Sequence, residues 1–74
     1  MDELNQDWGK MASRILKVEI AKQELTYKEL AAKLNELGVN YKESDITARL
    51  SRGSFSAAFF IQCLKAMGAK NIEL

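Results

Sequence analysis

The chain has 74 residues, 47% of them hydrophobic and 28% charged, with four glycines, no proline and no histidine. A chain of that length forms one domain and buries only about 60% of the surface its unfolded form exposes, so every apolar helix face has to be used. The composition excludes a disordered chain; the lone Cys63 excludes an internal disulfide, and no stretch reads as a signal peptide or membrane span, so the expected location is the cytoplasm.

The net charge of +1 is modest for a nucleic-acid binder. Asp2, Glu3 and Asp7 gather three of the acids at the start, and from Trp8 onward eleven basic side chains face seven acidic ones.

In chain order, the first helix is expected from near Asn5, a possible cap with Asp7 in the first turn, to about Gln23. Leu4, Trp8, Met11, Ile15 and Val18 repeat at spacings of four and three, the stripe expected to face the core, with Leu16 widening it and Trp8 as an anchor. Lys10, Arg14, Lys17 and Lys22 fall on other sides, where a solvated face is the plainer reading and phosphate contact the sharper one.

Thr26 and Glu29 make a capping box for a second helix, with Leu25 and Leu30 placed as a hydrophobic staple. Leu30, Ala31, Leu34 and Leu37 share one face, and Gly38 ends the helix cheaply because glycine accepts a positive φ. The loop from Gly38 to Glu43 holds Tyr41, expected to lie over the core. Asn40 and Glu43 resemble a further capping box, but Ser44 is the expected cap of a third helix running to Arg52 and stopped by Gly53. That helix buries Ile46 and Leu50 and leaves Thr47, Arg49, Ser51 and Arg52 on its outer sides.

Ser56 is expected to cap a last helix, with Phe55 stapled against Phe60, and Gly68 to end it. Between Ala57 and Met67 only Gln62 and Lys65 are polar, which leaves two apolar stripes, Phe60, Leu64 and Met67, and Phe59, Cys63 and Ala66, either of which can pack on the other helices. The stripe that is left over is expected to form a homodimer interface, for which Phe59, Cys63 and Ala66 are the residues named. The tail, 69–74, is expected to be a short extended segment or to fold back.

The stretch from Thr26 to Gly53 resembles the lambda-repressor/Cro-like helix-turn-helix domains in its Thr26, Glu29, Leu30, Ala31 run and in Ile46, Leu50 and Gly53. It departs from them in the late turn glycine, Gly38, and the longer loop. The run SRGSFSAAFFIQCLKAMG, from Ser51 to Gly68, is similar to a family of small uncharacterised bacterial helical proteins. The fold expected is therefore all-α, a compact four-helix domain over 1–74 with a helix-turn-helix inside it.

With no histidine, no glycine-rich phosphate loop and no paired carboxylates at working distance in sequence, neither an enzyme nor a metal or other cofactor is expected. The leading expectation is a sequence-specific DNA-binding regulator of bacterial or phage type, with helix 44–52 in the major groove. By the resemblance, Asp45, Thr47, Ala48 and Arg49 meet base edges, Arg49 foremost because a guanidinium matches the two acceptors of guanine. Tyr27, Lys28, Arg52, Ser54 and Ser56 are the expected phosphate contacts. The alternative is a protein-interaction or oligomerisation module of the same shape that does not use DNA. Duplex DNA and a second copy of the chain are the expected partners, with no membrane and no small-molecule substrate.

Overall fold

A computed structural model describes residues 7–72, and every described element is an α-helix: α1 (Trp8–Lys22), α2 (Tyr27–Glu36), α3 (Glu43–Arg52) and α4 (Ala57–Met67). In the main packing pairs, α1 and α2 each lie against both α3 and α4. The core they enclose consists of Leu16 and Ile20, Leu30, Ala31 and Leu34, Ile46 and Leu50, and Phe59, Cys63 and Met67. Burial of each large side chain among them stabilises the fold by about 1.5–3 kcal/mol before chain entropy is set against it.

The caps follow the local chemistry of the sequence. The Thr26 backbone N–H donates to Glu29 Oε1 (2.8 Å), and Thr26 Oγ1 accepts from the Glu29 N–H (3.0 Å), closing the capping box of α2. Ser56 Oγ accepts the Phe59 N–H at 3.0 Å, and the Phe55 and Phe60 rings stack with centroids 6.4 Å apart. Gly38 takes φ +86, and the N–H groups of Gly38 and Val39 return to Asn35 and Leu34, the paired closing bonds of a helix C-terminus.

Two helices start elsewhere than expected. Asp7 caps α1, its carboxylate accepting the Lys10 N–H at 3.1 Å; Asn5 lies outside the described residues. Lys42, not Ser44, is the cap residue of α3, because the Asp45 carboxylate reaches back to the Lys42 N–H at 2.9 Å and sets the cap two residues earlier. A third connection, between α1 and α2, repeats the Gly38 bonding with a side chain in place of glycine. Glu24 sits at φ +55, its N–H bonded to Ala21 and that of Leu25 to Ile20.

The stripe expected to face the core from α1 does not. Ser13, Leu16 and Ile20 are the buried residues of this helix, about half a turn around it from the Met11, Ile15 and Val18 line. Trp8 is 64% exposed and Val18 51%, so neither anchors the core. The physical reason is close approach, since α1 presents small residues to α3. A Cβ added to Gly9 would stand 1.9 Å from the Gly53 carbonyl oxygen, and the buried Ser13 hydroxyl donates to the Leu50 carbonyl one turn further along. Small side chains let the backbones meet, and Leu16 and Ile20 then reach the centre.

The last helix is corrected in the same way. Phe59 and Cys63, assigned above to a dimer contact, are both 0% exposed and belong to the core with Met67, so no surface remains on them for a second copy. Phe60, Leu64 and Ala66 pack half-buried around that core. Leu37, expected on the core face of α2, is the exposed C-cap residue of that helix. At the far end of α1, Gln23 Nε2 donates to the Met67 carbonyl at 2.8 Å and so satisfies one of the carbonyls left open where α4 stops.

Candidate nucleic-acid interface

Helix α3 is held from behind. Ile46 and Leu50 are buried, and Gly53, at φ +67, ends the helix directly against Gly9 of α1. Its outward side carries Glu43, Ser44, Thr47, Ala48 and Ser51, which line a shallow hollow. Apart from Glu43 these are small, and three bear hydroxyls. Thr47 Oγ1 donates to the Glu43 carbonyl at 3.1 Å, leaving its lone pairs free to accept.

The arginine expected to read guanine is engaged inside the domain. Arg49 Cζ lies 4.9 Å from the centre of the Tyr41 ring and 5.5 Å from that of Phe59, a cation over two aromatic faces. Its guanidinium also donates to the Asp45 carbonyl at 3.3 Å and stands 3.9 Å from the Asp45 carboxylate. Tyr41 lies over the core as expected, its ring edge-on to Phe59 at 5.1 Å. Arg49 and Asp45 are thus tied to each other and to the loop, to one side of the outward face, with 31% and 43% of their side chains exposed. Nothing in the spacing of the sequence marks this, because Tyr41 and Phe59 meet Arg49 from separate elements.

The remaining residues of the expected interface are placed as follows. Arg52 is exposed in the last turn of α3, Lys28 is exposed in the first turn of α2, and Ser54 is exposed in the loop leading to α4. Ser56 uses an oxygen lone pair on the Phe59 N–H and keeps its hydroxyl proton to donate. Tyr27 is half-buried against the core. Ser51 lies on the outward face as expected and Ser44, expected as the cap, joins it; the 44, 47, 48, 51 spacing was the signal that could have set Ser44 beside Thr47.

Residues 8–72 match the family described as a domain of unknown function, DUF6471. The chain belongs to the DUF6471 family. No curated protein and no solved structure matches it. In this DUF6471 domain the described residues hold no cluster of three potential metal ligands and no helix long and apolar enough to cross a membrane. Burial pushes the Cys63 thiol up to about 12, so its thiolate is not formed near neutral pH.

Proposed function

We propose that the domain is a small DNA-binding regulator that lays the outward face of α3 in the major groove. The observation that carries the reading is the build of that helix: clamped by Gly9, Ser13 and the core on one side, and furnished with small hydroxyl-bearing residues on the other. A rigid helix with a low outer face can approach base edges closely, where serine hydroxyls both donate and accept and Thr47, its proton given to the Glu43 carbonyl, accepts. The helix-turn-helix resemblance of the stretch from Thr26 to Gly53 adds to it. In this reading Ser44, Thr47, Ala48 and Ser51 meet the bases, while Arg52, Lys28, Ser54 and Ser56 meet phosphates.

The test is retention of random duplexes at low salt, followed by selection. Arg52→Ala is expected to weaken all sequences about equally and to lower the salt slope by about one. Thr47→Ala is expected to change preference at one position. Failure of the wild-type chain to retard any duplex in the high micromolar range at about 50 mM salt overturns the proposal.

A second reading, the protein-interaction module, is favoured by one observation. Trp8 and Val18 put large apolar surface on the outside of α1, where a domain acting only through α3 has no need of it.

A further inference from the structure

On the outward side of α1, Trp8, Met11, Ile15 and Val18 follow one another at spacings of three and four, and Lys22 continues the series. This is a 3.5-residue period, the spacing of a seam between two helices. It faces away from Ser13, Leu16 and Ile20, which pack inward. Together with Leu64 of α4 and Ile72 of the tail, Met11, Ile15 and Val18 floor a groove of about 360 Å³.

The polarity of the groove edge is one-sided. Its carboxylate, Glu19, is already bound by Lys22 Nζ at 3.5 Å and by Gln23 Nε2 at 2.8 Å. On the opposite edge Arg14 is exposed, and Lys22 stands at the end of the seam; both line the groove. We propose that this groove docks an amphipathic helix of a partner protein, with an apolar seam against Met11, Ile15 and Val18 and acidic side chains against Arg14 and Lys22.

The spacing selects a helix and the charge selects an acidic one. A second copy of the chain is the poorer occupant: pairing two such faces sets basic flanks in the same cleft and places Lys22 in the seam where a self-paired coil needs an apolar residue. A nucleic acid would use the basic flank and leave the apolar floor in water.

Trp8 is the sole tryptophan and begins the seam one turn before Met11, so in the full chain its emission reports on a helix laid along that seam. The probe is a designed helical peptide of about three heptads with leucine at the seam and glutamate on the flanks, compared with one carrying lysine on the flanks. Saturable binding of the glutamate peptide with a blue shift of Trp8, and none of the lysine peptide, is the expected result. Val18→Asp, at a position outside the core, should lower affinity roughly tenfold or more, the effect of losing an interface anchor, with the thermal melt unchanged. Arg14→Glu should weaken the glutamate peptide and admit the lysine one. Equal binding of both peptides, or no saturable binding of either, overturns the proposal. So does a wild-type dimer in sedimentation equilibrium that Val18→Asp abolishes, which would give the groove to a second copy. Competition of duplex DNA with the peptide, relieved by Arg14→Glu, would give it to nucleic acid.

Discussion

Replacing Gly9 by alanine pits local helix preference against tertiary packing, and the two predict opposite signs. Gly9 lies in the first turn of α1, where alanine is favoured over glycine by up to about 1 kcal/mol on intrinsic grounds. Against that, the new Cβ would stand 1.9 Å from the Gly53 carbonyl oxygen, whereas ordinary contact begins at 3.4 Å. The obstacle is backbone, fixed at the left-handed end of α3, so α1 has to withdraw by roughly 1.5 Å in an interior that is otherwise close-packed. Overpacking of this kind costs about 1–3 kcal/mol, and loosening the hydrogen bond from Ser13 to the Leu50 carbonyl adds about 1 kcal/mol. The net expectation is a loss of about 2 kcal/mol, which for a domain of this size lowers Tm by about 10 °C. Thermal melts followed by circular dichroism, with urea midpoints for the same pair, measure it. A Gly9→Ala protein as stable as wild type, or more stable, would refute the helix crossing on which the account of α1 and α3 rests.

Glu24→Gly should stabilise the domain by about 0.5 kcal/mol, because the left-handed conformation at φ +55 strains a side-chain-bearing residue by more than glycine loses in the unfolded chain; a urea midpoint that falls instead counts against it. Arg49→Ala should cost about 1 kcal/mol of stability through the lost stacking on Tyr41 and Phe59 and leave any DNA preference unaltered, which paired melts and selections would show. Cys63 should resist thiol reagents at pH 8 until the chain unfolds. Its proton is held to about 12 in the fold but only to 9.0 otherwise, so it contributes no pH dependence below pH 9. Above that the unfolded chain ionises first and stability falls by about 1.4 kcal/mol per pH unit until pH 12, a slope that Cys63→Ala should lack in denaturant titrations.

Four helices and most of their ends were legible in the sequence because those signals are local. Thr26 with Glu29, Ser56 with Phe59, and the glycines at 38, 53 and 68 act within a turn or two of themselves, and no neighbour is needed to satisfy them. The α3 cap lies two residues before the expected Ser44 because Ser44 and Lys42 are both placed to start the helix, and only the bond from the Lys42 N–H to the Asp45 carboxylate decides between them. What tertiary structure alone decided is which face of α1 and of α4 turns inward. On α1 the more hydrophobic stripe lost to the side where Gly9 and Ser13 let two backbones come together, and on α4 the stripe read as a dimer surface proved to be the core. Hydrophobic periodicity ranks faces by apolar content, but packing ranks them by how closely a neighbour can approach. The same reason took Arg49 out of the expected reading face: its partners Tyr41 and Phe59 come from other elements, and the sequence does not record that they meet.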